Sequence, residues 1–213
     1  MQLLFFALLL LPCPALAADA DLYGQWEGEL DAENLQGHPN IKSETYRVYF
    51  NQDGTFELHI RTVFVPEYDF WADLDEVDSN LAEHVNTTSV LLQGQWSTLS
   101  DDELVLTVES AATTINDRSM LEVITEATIR TRAIEDGYDE EETQVLIDAI
   151  IKLIDPEEIY ADFIANFNEQ NPYYYKLEGN TLATEINGHI VYLHEVGATP
   201  VKDWSWGRIK SSR

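Results

Sequence analysis

Side chains that could perform acid–base, nucleophilic or metal chemistry are scattered along this chain and form no recognisable catalytic motif. The sequence contains no G-x-S-x-G, H-E-x-x-H or G-x-x-x-x-G-K-[ST] pattern, and its only cysteine is Cys13. These patterns mark acyl-transfer enzymes, zinc proteases and nucleotide-hydrolysing enzymes. We therefore expect no catalytic residues, no cofactor and no enzymatic activity.

Two sets of side chains are candidates for a metal site. The histidines are dispersed: His189 and His194 face opposite sides of one predicted strand, and His59 shares an outward face with Glu57. The acidic run 69–80 offers carboxylates, but it lacks the central glycine and the bidentate glutamate of an EF-hand loop. We expect no metal site and interpret the run as a solvated loop, with calcium binding as the alternative.

Two further kinds of chemistry stay open on the sequence alone. A carboxylate pair of the glycosidase type is compatible with so acidic a chain, but the abundance of carboxylates makes any particular pairing uninformative. Asn86-Thr87-Thr88 fits a glycosylation acceptor, which matters only in a eukaryotic secretory route.

Four aromatic side chains face inward on predicted strands and are the candidate ligand-lining residues. They are Tyr46, Phe50, Phe56 and Trp96. Large inward aromatics either fill a solid core or surround a cavity for an apolar ligand. Both interpretations are compatible with the pattern.

The first residues resemble an export signal. An apolar run at 3–11 is followed by Ala15-Leu16-Ala17, although no Lys or Arg precedes the run. This stretch is too short to span a bilayer core of about 30 Å, and it ends in the A-x-A site that signal peptidase requires. We predict a signal peptide at 1–17, export to a periplasmic or extracellular location, and a single domain at 18–213.

Charge sets the expected partners. The chain has 39 Asp and Glu against 12 Lys and Arg, a formal net charge of -27. Such a field repels phosphate backbones and anionic lipid headgroups, and no later segment is apolar enough to be a membrane span. We expect no nucleic-acid partner and no membrane span, whereas a cationic protein partner is compatible with the charge.

Hydrophobic alternation predicts a mainly β fold. The strongest signal is a hairpin at Gln52-Asp53-Gly54-Thr55, between two segments that alternate apolar and polar side chains. A long loop is predicted at 66–86, with a helical turn around 74–84. The predicted strands are 23–30, 45–51, 56–60, 90–96, 104–108, 119–132, 173–177, 181–186 and 189–196.

Two helices interrupt the strands late in the chain. Asp139 with Glu142 predicts a capping box, and Asp155-Pro156 predicts the start of a second helix. We interpret them as a helical hairpin inserted at about 139–169. The predicted fold is an antiparallel up-and-down barrel, because closure removes the exposed edges of a long meander.

Three short motifs carry a resemblance to a known family. Gly24-Gln25-Trp26, Asp53-Gly54-Thr55-Phe56 and Gly94-Gln95-Trp96-Ser97 resemble the lipocalin-like proteins of the calycin group. The resemblance implies that Trp26 crosses the closed end of the barrel and that a late arginine, here Arg208, packs on it. The chain departs from the family in lacking a T-D-Y type motif and in carrying the helical hairpin.

The expected function follows from the barrel and the resemblance. It is an exported lipocalin-like binding protein whose interior, capped by the 139–169 helices, holds a small apolar ligand. The alternative is an acidic structural or interaction protein with a filled barrel and a cationic protein partner.

Overall fold

The computed structural model describes residues 19–31, 38–74, 76–186 and 189–196. Within these ranges, nine strands form one antiparallel sheet and three α-helices lie between its sixth and seventh strands. The strands are β1 (Gly24–Asp31), β2 (Ile41–Phe50), β3 (Thr55–Phe64), β4 (Thr87–Ser100), β5 (Glu103–Ile115), β6 (Arg118–Ser119), β7 (Tyr173–Glu178), β8 (Thr181–Ile186) and β9 (His189–Glu195). The helices are α1 (Met120–Asp136), α2 (Glu140–Ile151) and α3 (Pro156–Glu169).

Eight of the strands close into a barrel. The hydrogen-bonded order runs β4-β3-β2-β1-β9-β8-β7-β5, and a direct β4–β5 pairing joins the two ends. The remaining strand, β6, pairs antiparallel with the last two residues of β5. Every pairing is antiparallel, which confirms the predicted up-and-down barrel with inserted helices.

The predicted hairpin between β2 and β3 is confirmed. Phe50 pairs with Phe56 across the turn, and Gly54 adopts a φ of +84°, which a residue with a side chain rarely tolerates. Because side chains alternate along a strand, this register directs Tyr46, Val48 and Phe50 to the same face, where all three are buried.

The prediction of a strand at 119–132 is wrong, because this segment forms α1. Its buried positions Val123 and Ala127 are four residues apart, so they share one helix face against a cluster that includes Trp71. Gly137 ends the helix in the left-handed conformation, with its N–H bonded to the carbonyls of Ala133 and Ile134. Packing in three dimensions therefore outweighed the strand preference of the β-branched side chains.

Both predicted helix starts are confirmed. Asp139 and Glu142 form a reciprocal capping box at α2, and Asp155 caps α3 with Pro156 in its first turn. The two helices pack on different neighbours, because α2 contacts α1 whereas α3 contacts β5. The insert therefore comprises three helices and begins at Met120, before the predicted 139–169 segment.

The segment 66–86 is a long connection with its own small core. A short 3-10 helix lies at Phe70–Asp73, earlier than the turn predicted around 74–84. Trp71 is buried there, and its indole N–H donates to the Glu83 carbonyl at 2.8 Å. This connection and α1 bury a second cluster beside the barrel.

Some predictions fall outside the described residues. These are the signal peptide at 1–17 and the late Arg208. Among the helices of the described ranges, none combines the length and the apolar character needed to cross a membrane.

Candidate functional site

A cavity of about 320 Å³ lies inside the barrel. Seven of the barrel strands and α3 contribute its walls, and most of the wall side chains are aliphatic or aromatic. The strand residues that line the cavity are those whose side chains alternate to the inner face. Examples are Val48 and Phe50 on β2, and Leu58 and Ile60 on β3. The cavity is therefore a product of the same inward face that forms the core.

One end of the barrel is filled. Trp26 is 1% exposed, and its indole N–H donates to the Leu22 carbonyl at 2.8 Å, which fixes the 3-10 helix Ala20–Leu22 against the barrel. Trp96 packs on Phe50 with ring centroids 4.8 Å apart. The interior at this end therefore contains side chains, and free space begins beyond Phe50.

Helix α3 forms part of the cavity wall. Phe163, Asn166, Phe167 and Gln170, on α3 or directly after it, line the cavity. Of the two helices that the sequence predicts to cap the barrel interior, α3 contributes residues to the cavity lining and α2 contributes none.

Two asparagine side chains attach this helical segment to the edge of β5. Asn168 accepts from the Val108 N–H at 2.8 Å and donates to the Val108 carbonyl at 3.0 Å. Asn171 does the same for Leu106, at 2.8 and 2.9 Å. Since β7 pairs with β5 only at Glu103 and Leu104, the two amides continue the hydrogen bonding that a strand would otherwise supply.

Glu44 is the charged side chain of the cavity wall. Its Oε2 accepts from the Tyr46 hydroxyl at 2.6 Å, and its Oε1 accepts from Thr62 Oγ1 at 3.0 Å. Among the described residues that line the cavity, none is Lys, Arg or His. The carboxylate is therefore held by two hydroxyl groups and has no cationic neighbour in the wall.

Tyr46 remains a hydrogen-bond donor to this carboxylate. Burial, reinforced by the hydrogen bond to Glu44, raises the pKa of Tyr46 well above its ordinary value of 10.0. The phenol therefore stays protonated at neutral pH. On the opposite wall, burial likewise raises the pKa of Tyr173 to about 12.

The predicted lining residues divide into two groups. Phe50 lines the cavity, whereas Tyr46, Phe56 and Trp96 are buried in the surrounding core at 2%, 2% and 4% exposure and are not part of the lining. Trp26 lies at the filled end. The partner implied for it, Arg208, is outside the described residues.

Sequence reasoning missed Glu44. The signal was present, because Glu44 has the same parity as Tyr46, Val48 and Phe50, and alternation along β2 places all four on one face. The predicted strand begins at Thr45, which places Glu44 in the preceding loop.

The groups considered for metal binding have other contacts. His59 bonds to Glu57 at 2.6 Å on the outer face, and that contact lowers the pKa of the Glu57 carboxyl. The Asp69 and Asp78 carboxylates accept hydrogen bonds from the backbone N–H groups of Trp71 and Asn80. In the described part of the chain, no three His, Cys, Asp or Glu side chains are arranged to hold a metal ion.

No protein-family model matches the chain, and a search of curated protein sequences returns no significant match. The closed eight-stranded antiparallel barrel is compatible with a calycin-like fold. The cavity geometry is therefore the main guide to function.

Proposed function

We propose that this protein is an exported, lipocalin-like binding protein that holds a small apolar ligand inside its barrel. The observation that carries the proposal is the cavity itself, which is lined by seven barrel strands and α3 and adjoins the filled end that contains Trp26 and Trp96. Ligand sites in proteins are concave, mostly apolar, and contain a few placed polar groups. The cavity has this composition.

The size of the cavity indicates a small ligand. Ligand pockets occupy about 300–1,000 Å³, and the volume here is about 320 Å³. A ligand with one short chain or with two to three aromatic rings fits that space, whereas a bulky lipid exceeds it.

A binding assay with a blocked cavity tests this proposal. The apolar fluorophore N-phenylnaphthylamine should bind the wild-type protein saturably. Val90 lines the cavity and is only partly buried, so Val90→Trp should occupy the space and weaken binding about tenfold or more.

The matched control lies on the same strand. Leu91 has the opposite parity and does not line the cavity, so Leu91→Trp should leave the affinity unchanged. Absence of saturable binding to the wild type, or equal weakening by both substitutions, would contradict a ligand inside the barrel.

The net charge of -27 favours one alternative, an acidic interaction protein with a cationic protein partner. Such binding would depend on exposed charges and would weaken as salt screens them. It would also be insensitive to Val90→Trp, which distinguishes it from binding in the cavity.

A further inference from the structure

The chemistry of the cavity wall restricts the class of ligand. The described residues of the wall are apolar except for a few hydroxyl and amide groups and one charged side chain, Glu44. We propose, resting on the binding function above, that the ligand combines an apolar body with a protonated amine, and that Glu44 receives this amine.

The Glu44 carboxylate is oriented by its neighbours. Tyr46 and Thr62 each donate one hydrogen bond, and each bond goes to a different carboxylate oxygen. An ionised carboxylate offers about four acceptor sites. Roughly two sites therefore remain for donors that come from a ligand.

Among the residues that the structure describes, no cation is paired with this charge. No ion pair of the described residues includes Glu44, and the described residues of the cavity wall are otherwise uncharged. A charge at an apolar wall is stabilised by an opposite charge nearby, and charge-assisted hydrogen bonds are stronger than neutral ones. An ammonium group on the ligand provides both the opposite charge and the charge-assisted hydrogen bond.

The charge of Glu44 also weakens the binding of amphiphiles that carry a negative charge. A fatty acid would place a second carboxylate beside Glu44, and like charges at close range repel. The overall charge of -27 further raises the local concentration of cations and lowers that of anions. The expected order of affinity is amine, then alcohol, then carboxylate.

Three ligands with the same chain test this order. Octylammonium, octanol and octanoate are compared at neutral pH and constant ionic strength by displacement of N-phenylnaphthylamine. Octylammonium should bind about tenfold more tightly than octanol, and octanoate should bind most weakly.

Glu44→Gln removes the charge and keeps one acceptor oxygen for Tyr46 or Thr62, while its Nε2 donates to the hydroxyl oxygen of the other residue, so both side-chain contacts are retained with one hydrogen bond reversed. In this variant, octylammonium and octanol should bind with similar affinity, and octanoate should bind more tightly than to the wild type. The matched control is Glu29→Gln, which removes the same charge from an exposed position on β1 and should retain the preference for the amine.

The outcomes separate the two proposals. If neither the fluorophore nor any of the three ligands binds, the binding function fails and the amine preference fails with it. If the ligands bind without preference, or if Glu44→Gln keeps the preference, the assignment to Glu44 is wrong while the binding function stands. If Glu44→Gln does not fold, as judged by circular dichroism, the order of the three ligands on the wild-type protein decides the question.

Discussion

Trp26 contributes to the closed end of the barrel in two ways. Its ring is among the largest fully buried side chains, and its indole N–H bonds to the Leu22 carbonyl. Gly28, two residues further along, allows β9 to approach, since a Cβ there would lie 2.3 Å from the Tyr192 carbonyl oxygen. A large and a minimal side chain on one face therefore shape this end together.

Separate substitutions should distinguish the two contributions of Trp26. Trp26→Ala should lower the free energy of unfolding by about 3–5 kcal/mol through the cavity it creates. Trp26→Phe keeps an aromatic ring but removes the donor to Leu22, and should cost about 1–3 kcal/mol. Urea denaturation followed by circular dichroism measures both values.

The exposed aromatic Tyr138 provides the control for this series. Its side chain is 48% exposed, so Tyr138→Ala should change the free energy of unfolding by no more than about 0.5 kcal/mol. Equal effects of Trp26→Ala and Tyr138→Ala would show that the filled end does not stabilise the fold.

Among the elements, α3 and the edge of β5 are joined without a strand between them. The Asn168 and Asn171 amides each form a pair of hydrogen bonds with one residue of β5. An edge strand with unpaired groups is a site for association with another chain, and natural proteins cover such edges. Here the cover comes from side chains of the helical segment.

Each asparagine should protect its own backbone partner. Asn168→Ala should increase the hydrogen-exchange rate of the Val108 amide about tenfold or more, and Asn171→Ala should do the same for the Leu106 amide. Nuclear magnetic resonance resolves the two amides, so each variant is the control for the other. If either substitution exposes both amides equally, the edge opens as one unit and the individual assignment is wrong.

The elements differ in how far the sequence predicts them. The β2–β3 hairpin and the caps at Asp139 and Asp155 were predicted because their signals lie within a few residues. Helix α1 is not predicted, since its apolar positions also suit a strand. The contacts that decide its structure come from the cluster around Trp71, which is distant in sequence. Local patterns therefore specified the barrel, whereas long-range packing specified part of the insert.

The candidate site shows the same division. Alternation directed Phe50 inward, and the structure places it on the cavity wall. Alternation identifies the inward side chains, but which of them border free space depends on packing between strands that are distant in sequence. Tyr46 does not line the cavity, although Glu44 and Val48 on the same face of β2 do. For this reason the sequence does not distinguish Tyr46, Phe56 and Trp96 from Phe50.

For the whole molecule, two arginines link separate elements through pairs of carboxylates. Arg118 bonds to Glu83 and Glu126, and Arg130 bonds to Glu126 and Glu140, which ties the 66–86 connection to α1 and α2. The hydrogen bond from Arg118 is the main reason that the pKa of Glu126 lies below its ordinary value. Because the carboxylates outnumber the cations, they repel one another across the surface.

Added salt should therefore stabilise the protein. Raising NaCl from about 10 mM to about 500 mM shortens the Debye length from about 30 Å to a few ångströms. Screening of 39 acidic against 12 basic side chains should raise the Tm in scanning calorimetry. KCl should act equally if screening is the cause, whereas a Tm that falls with salt would show that the arginine ion pairs dominate.

The attachment of the helical segment to β5 places the border of the cavity and the closure of the barrel wall on the same stretch of chain. The residues that border the cavity, such as Phe167 and Gln170, alternate in sequence with the asparagines that close the adjacent seam. Under the proposed binding function, a ligand that enters or leaves by displacing this stretch has to break the same four hydrogen bonds that bind it to β5. The dissociation rate of that ligand and the stability of the barrel wall would then depend on the same two asparagines.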